Sequence, residues 1–245
     1  MRLDRALVAR GLAQSRTRAA RLIAEGRVWV AGVVASKPAM NVEADTEIFA
    51  ESETWVSRAA HKLLGAIEDS GTLLEGRVLD AGASTGGFTQ VALEQGADLV
   101  YAVDVGHQQL AGMIRSDPRV RVREGLNLRD LTLADLDGKP VDVVVGDVSF
   151  ISLKLLLPRL LSVLRPEGTA LLLVKPQFEV GRQRLGAGGV VRDPRLREEA
   201  VSAVVDAAEA LGWACDWRGP SRLPGAGGNH EFFIRLCLVR GADYP

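Results

Sequence analysis

The chain has almost no cysteine. Of its 245 residues only Cys215 and Cys237 are cysteine, and their spacing matches neither a zinc site nor a Cys-x-x-Cys pair. Both fall in segments read as strands, so they are expected as buried, reduced thiols. Histidine is equally sparse: His61, His107 and His230 form no metal-ligand spacing, and no metal is expected. The formal net charge is −1, so a polyanionic partner would have to be met by local clustering of base rather than by bulk charge. No apolar run approaches the roughly 18 residues of a membrane span. The N-terminus, Met1-Arg-Leu-Asp-Arg5, also carries charge where a secretory signal needs an apolar core. These absences together lead to an expected cytoplasmic protein with no membrane association and no metal. A hydrophobic share of 47% and this length instead suit one large domain with a small appendage.

What is present is organised around Val78 to Thr89, reading Val-Leu-Asp-Ala-Gly-Ala-Ser-Thr-Gly-Gly-Phe-Thr. A short apolar strand stops at Asp80, turns on Gly82, and enters a helix at Gly86-Gly87-Phe88. Such a turn lets a ligand lie against bare backbone at a helix N-terminus, where unpaired N–H groups and the helix dipole favour oxygen-rich groups. A dinucleotide fingerprint would read G-x-G-x-x-G, which this turn does not. Asp104 ends the next apolar run and suits a ribose diol, which fits NAD or S-adenosylmethionine. The glycine spacing favours the second. A tight turn that needs glycine for packing alone is the other reading.

The first fifty residues form a unit of their own. Leu3, Leu7 and Val8 share a helical face and Gly11 ends the run. Ser15 can cap a second helix, Arg16 to Glu25, stopped by Gly26. Arg27 to Val34 then alternates like a hairpin around Ala31-Gly32. Arg2, Arg5, Arg10, Arg16, Arg18, Arg21, Arg27 and Lys37 fall here, opposed before residue 40 only by Asp4 and Glu25. Such a surface binds a phosphate backbone through counterion release; a solvated face of a stabilising module is the alternative. The more acidic stretch that follows reads as a linker ending in Trp55, Val56 and Ser57, with Trp55 an anchor or a packing residue. Ser57 is expected to cap a helix through Lys62 to Asp69, ended by Gly71.

Beyond residue 77 apolar runs alternate with helical patterns, which argues an α/β fold with a largely parallel sheet. The expected strands are Arg77–Leu79, Leu99–Val103, Val120–Arg123, Val141–Val145, Thr169–Val174, Trp213–Asp216 and Phe232–Val239, with helices over Ser152–Leu164 and Arg195–Leu211. Ligands of open α/β sheets gather beyond the carboxyl ends of the strands. Asp147 and Lys175 each follow a parallel strand there. Glu231 precedes the last strand and returns to that edge if the strand runs antiparallel. Lys62 lies on the helix that enters the domain. Each has an ordinary structural explanation taken alone. The segment after Lys175, with Arg182, Arg184, Arg192 and Arg195 among glycines, is placed to meet a phosphate backbone or is a plain solvated connection.

Three resemblances join these features. Residues 1–50 resemble an S4 RNA-binding domain, through Met-Arg-Leu-Asp-x-x-Leu7, Ser15-Arg-x-x-Ala19 and Leu22-Ile-x-x-Gly-x-Val-x-Val-x-Gly32. Lys62, Asp147, Lys175 and Glu231 resemble the Lys-Asp-Lys-Glu set of ribose 2′-O-methyltransferases similar to FtsJ/RrmJ. With Leu173-Val-Lys-Pro-Gln-Phe-Glu179 and Asn229-His-Glu231, the chain is similar to the TlyA family over nearly its full length. That resemblance implies a Rossmann-like seven-stranded methyltransferase sheet over residues 58–245, a linker at 51–57, and the S4-like α+β domain before it. It implies S-adenosylmethionine-dependent 2′-O-methylation of cytidine in ribosomal RNA, with sensitivity to antibiotics such as capreomycin. It places Asp80, Gly82, Ser84, Thr85, Gly86, Gly87, Phe88 and Asp104 around the cofactor, and Asn127 and Asp147 nearer the adenine and methyl. Arg2, Arg5, Arg16, Arg18, Arg21, Arg182 and Arg184 would meet RNA.

The chemistry asked of the tetrad follows from the substrate. A ribose hydroxyl is a poor nucleophile until a proton leaves it, and a lysine can take that proton only where its surroundings favour the neutral amine. Lys175 is the expected base, positioned by Asp147, with Lys62 and Glu231 orienting and tuning the pair; positioning supplies much of the acceleration. Longer family members carry a basic extension ahead of the S4 unit and a further C-terminal segment. The long form is linked to both subunits and the short form to the large subunit alone, so a sequence opening almost on the S4 motif is expected to act on large-subunit RNA, with the small subunit left open. A monomer acting on ribosomal subunits is expected. The alternatives are a non-catalytic ribosome-assembly factor with a vestigial methyltransferase fold, against which the intact tetrad speaks, and a membrane-active haemolysin, for which no cationic amphipathic helix is found.

Overall fold

The computed structural model describes residues 1–13, 15–50, 55–225 and 227–239, the side chains of residues 182 and 187 excepted. The chain divides into two compact units, Met1–Thr54 and Trp55–Pro245.

In the first unit, α1 (Leu3–Ala9) and α2 (Arg16–Ala24) pack with β1 (Val28–Val30), whose neighbour β2 (Val33–Val34) is exposed, and with β3 (Ile48–Ala50). Ser15 caps α2 by accepting from the Arg18 N–H at 3.2 Å, as its position predicts. Ala31 and Gly32, with φ of 49° and 78°, form the two-residue turn between β1 and β2, where both central residues must be left-handed. The third strand was not foreseen. Ile48, Phe49 and Ala50 lie in the acidic stretch leading into the linker expected at 51–57, yet pair antiparallel with β1, and Val28 faces Ala50. Only Ala50 of the three is buried, with Ile48 half-buried and Phe49 exposed, and three apolar residues in a row show no alternation that marks a strand.

The second unit opens with α3 (Ala59–Ser70), which ends on Gly71 at φ 68°. Ser57 does not cap it from the N-cap position, which belongs to Arg58; its Oγ instead accepts from the Ala59 N–H at 3.2 Å. Then come β4 (Gly76–Ala81), α4 (Gly87–Glu94), β5 (Ala97–Asp104), α5 (Gly112–Arg115), β6 (Val120–Glu124) and β7 (Val141–Gly146). The chain continues through α6 (Leu157–Ser162), β8 (Leu164–Val174), α7 (Pro176–Glu179), α8 (Pro194–Glu209), β9 (Trp213–Pro220) and β10 (Phe232–Leu238). The strand order is β6-β5-β4-β7-β8-β10-β9, with β10 antiparallel to both neighbours and the other strands parallel. All seven expected strands are present.

The helix expected over Ser152–Leu164 is shorter and broken. A 3-10 turn at Leu153–Leu155 precedes α6, which starts beside Pro158, and Leu164 already pairs with Val141 in the sheet. Proline suits a first helical turn because its missing N–H would be unpaired there anyway. Alternate residues of each strand feed opposite faces. Val78, Val100, Val143, Leu171 and Phe233 pack against α3 and α4, whereas Leu79, Tyr101, Val144, Leu172 and Ile234 pack against α6 and α8. This double covering explains the near-continuous apolar strands. Trp55 is half-buried against the first of these layers, a packing residue of the second unit.

Candidate active site

The carboxyl ends of β4, β5, β7 and β8 lie along one edge, and the register places Glu231 there as well. Phe232 pairs with Val174, so Glu231 and Lys175 leave the sheet side by side. The antiparallel direction of the final strand is what returns this glutamate to the edge.

Two buried ion pairs result. Lys62 Nζ donates to Glu231 Oε2 at 2.6 Å, across 169 residues of chain. Lys175 Nζ lies 2.6 Å from Asp147 Oδ1, an ion pair whose angles fall short of a hydrogen bond, and donates to Ser149 Oγ at 2.7 Å. Lys62 and Lys175 are each 9% exposed and Glu231 3%. A lone charge at that depth is costly, so each lysine is held by its carboxylate, and removal of one partner would strand the other. Lys62, Asp147 and Lys175 line one cleft of about 310 Å³ with Gly82, Thr85 and Phe88. Gln177 Nε2 reaches Glu231 Oε1 at 3.4 Å.

Next to it is a pocket of about 500 Å³ lined by Gly82, Ser84, Asp104, Asn127 and Asp147 and by apolar Val105, Leu126, Val148 and Ile151. The Asp104 carboxylate accepts from the Ser84 N–H at 2.8 Å and from the Gly106 N–H at 2.7 Å, which fixes it at the pocket wall with lone pairs to spare. Gly82 has φ 87°, and a Cβ there would stand 3.1 Å from the Asp147 carbonyl oxygen. Gly82 thus lets the two loops touch.

The expected cofactor residues fall into two groups. Gly82, Ser84, Thr85, Gly87, Phe88, Asp104 and Asn127 line one or other cavity. Asp80 and Gly86 do not. Gly86, at φ 93°, turns the chain into α4 with Leu110 and Ile114 packed against it. Asp80 is fully buried beneath the loop; its Oδ2 accepts from Thr89 Oγ1 at 2.6 Å and its Oδ1 has no partner. Burial, with smaller contributions from the nearby Asp147 and Asp104 charges, pushes its carboxyl up to about 7 despite the Thr89 bond.

Several side chains at this edge escaped the sequence. Ser149 holds Lys175. Glu179 accepts from Ser152 Oγ and from the Leu153 N–H, both at 2.6 Å, and so ties the loop after Asp147 to the segment after Lys175. Phe150, at φ 66° and 92% exposed, leans on Phe178 with ring centroids 5.4 Å apart. Phe178 and Glu179 stand in the Leu173–Glu179 motif and Ser149, Phe150 and Ser152 lie close after Asp147, but neither signal gives their contacts.

The arginines of the first unit are less free than their count implied. Asp4 is 3% exposed and is gripped by Arg2 at 3.0 Å and Arg16 at 2.9 Å, the Arg2 bond above all holding its carboxyl at about 2. Arg21 pairs with Glu25 at 2.8 Å, Arg18 is half-buried, and Arg5 is exposed. In the second unit Arg184 pairs with Glu199, and the Arg182 side chain lies outside the described residues.

Comparison with known proteins agrees with this geometry. The FtsJ-like methyltransferase family matches residues 55–237 and the S4 domain residues 1–48. Over 239 residues the chain is 49% identical to the 16S/23S rRNA (cytidine-2′-O)-methyltransferase TlyA of Mycobacterium tuberculosis, covering 96% of this chain and 89% of that protein. The chain belongs to the TlyA family of rRNA 2′-O-methyltransferases. Another relative, the 23S rRNA (cytidine-2′-O)-methyltransferase TlyA of Campylobacter jejuni, is 36% identical over 74% of this chain and 70% of its own length. A solved structure described as a putative hemolysin from Streptococcus thermophilus is 37% identical and superposes with a TM-score of 0.77, covering all of this chain and 90% of its own. Among the described residues of this TlyA-family chain no helix is long and apolar enough to cross a membrane, and no three His, Cys, Asp or Glu side chains cluster as metal ligands.

Proposed function

We propose that this chain transfers the methyl group of S-adenosylmethionine to the 2′-hydroxyl of a cytidine in ribosomal RNA, acting in the cytoplasm as a monomer. The observation that carries the reading is the meeting of two buried lysine–carboxylate pairs at the rim of a glycine-turn pocket.

The pocket residues suit that cofactor. Asp104 would accept the ribose hydroxyls, Asn127 and the apolar wall of Leu126, Val148 and Ile151 would take the adenine, and the bare backbone at Gly82 leaves room at the loop. Below the loop, the unpaired Oδ1 of Asp80 is a buried acceptor whose negative charge a cationic ligand bound at the loop would offset. When bound, the cofactor supplies an electrophilic methyl group on a sulfonium.

Everything else is asked of the protein. Lys175 first gives up its ammonium proton to solvent. The neutral Nζ then takes the proton of the 2′-hydroxyl as that oxygen attacks the methyl carbon, and Asp147 and Ser149 hold the nitrogen in place and balance the charge it regains. Lys62, fixed by Glu231, sets the field around the reacting oxygen and faces the same cleft. Arg5 and Arg18 of the first unit, together with Arg182 and Arg184, supply phosphate contacts that hold the RNA without reading its sequence. The deciding experiment incubates purified protein with labelled S-adenosylmethionine and separate 50S and 30S subunits, then maps the modified ribose. Label on a cytidine 2′-oxygen supports the reading, and the subunit labelled tells whether one or both are targets. No transfer to either subunit removes it.

A further inference from the structure

Asn229 opens the Asn229-His-Glu231 motif, and nothing in the proposed reaction uses it. It is 5% exposed, and both side-chain groups and the backbone carbonyl are engaged. Its side-chain oxygen accepts from the Val191 N–H at 2.9 Å, its amide nitrogen donates to the Gly189 carbonyl at 3.1 Å, and its own carbonyl accepts from the Gly225 N–H at 2.9 Å. The first two bonds seize the arginine- and glycine-rich segment that follows Lys175. The third closes the turn over Glu231.

That turn is packed directly on the glutamate. A Cβ at Gly225 would collide with Glu231 Oε1 and stand 3.0 Å from its Cδ, so the backbone here forms the lid of the carboxylate. The Glu231 carbonyl in turn accepts from the Ser221 N–H at 2.8 Å. On the other side, Val191 is buried against Val180 and Ala200, and Arg197 donates to the carbonyls of Val191 at 2.8 Å and Arg192 at 3.0 Å. The segment is therefore anchored at one buried amide between a small apolar cluster and the Lys62–Glu231 pair. Only an amide fits this place, since one atom must accept from an N–H while its neighbour donates to a carbonyl. Aspartate would lose the donor and set a second charge into the buried junction.

We infer that Asn229 is a positioning residue that couples the RNA-facing segment 181–193 to Glu231, so that the segment which meets the substrate and the pair which orients the reaction are set by one side chain. This rests on the assignment of the tetrad under Proposed function. Asn229 lines neither cavity, so its loss should leave the cofactor pocket intact while misplacing the groups that act on the ribose.

The test compares Asn229→Ala and Asn229→Ser with Lys175→Ala, using labelled cofactor and the subunit that the wild-type protein modifies. Asn229→Ala should lower kcat on the order of 10²-fold, the scale of a misplacement of about 1 Å, and raise KM for RNA. Its Kd for S-adenosylmethionine by calorimetry should stay within about twofold of wild type, as expected if the effect lies in positioning rather than in the pocket. Asn229→Ser keeps a hydroxyl able to accept from Val191 and should recover part of kcat; it also carries the test if the alanine variant does not fold. Wild-type kcat and KM in a folded variant overturn the inference, as does a cofactor affinity that falls in step with kcat. If Lys175→Ala retains full turnover, the tetrad assignment itself has failed, and that outcome is separable from the others.

Discussion

Asp80→Asn isolates one buried charge and should change how stability depends on pH. Asp80 sits under the glycine turn with no water contact, and its carboxyl is pushed up to about 7 from an ordinary 3.8. A carboxyl whose folded pKa lies above its unfolded value binds a proton more tightly when native, so this group favours the native state at low pH. That advantage drains as pH rises from about 4 to about 7 and stays constant above it. Between pH 5 and pH 7 the loss spans two units, worth about 3 kcal/mol at ~1.36 kcal/mol per unit. Asparagine keeps an oxygen for the Thr89 hydroxyl and sets an amide nitrogen where Oδ1 lacks a partner; whatever that costs does not vary with pH. The diagnostic is therefore a slope. Relative to wild type, the stability of Asp80→Asn should climb by about 3 kcal/mol from pH 5 to pH 7 and then level off. For a unit of this size that is a relative gain of about 6–12 °C in Tm. Urea unfolding of both proteins without cofactor, at half-unit steps from pH 5 to pH 9, measures it. Parallel profiles would refute the reasoning, because they would mean Asp80 is already charged at pH 5 or reaches water.

Three other outcomes are expected. Lys175→Ala should reduce turnover by ~10²–10⁴-fold, the range for a lost general base, with cofactor Kd little changed; a matching loss of cofactor affinity would move Lys175 out of the base role. Gly87→Ala places a Cβ against Ser57 Oγ and 3.1 Å from the Ala60 nitrogen, at the contact of α3 with α4. It should cost about 1–3 kcal/mol of overpacking, read by urea unfolding, and wild-type stability would contradict the tight contact. Arg5→Glu should weaken RNA binding and reduce the slope of log affinity against log salt by about one. Arg16→Glu would instead unseat the buried Asp4, so a salt series on Arg5→Glu with an unchanged slope would place the RNA face elsewhere.

Much of this protein was legible without a fold. Seven strands announced themselves because a doubly covered sheet demands near-continuous apolar runs, and Leu171–Val174 or Val143–Val145 can be little else. Gly82, Gly86 and Gly87 marked the turn, since each stands where a side chain would strain the backbone or strike a neighbour. Strand ends placed Asp147 and Lys175 at one edge. By contrast β3 was missed because its pairing with β1 comes from a partner twenty residues away and not from its own alternation. The helix before β8 was overdrawn because Leu164 joins the sheet through a register shift that no local pattern encodes.

What the sequence determined alone was therefore the inventory and the order: local propensity and periodicity are properties of neighbours along the chain. Only the tertiary structure decided which charges face each other. That Lys62 reaches Glu231 and not solvent depends on one strand running antiparallel and on a helix packed from 169 residues away. That Arg2 and Arg16 turn inward to Asp4, that Asp80 lies beneath the loop and not in the pocket, and that Asn229 joins two loops are likewise matters of burial. Burial is set by the whole chain at once, because a polar group removed from water must find its partner wherever the fold has brought one.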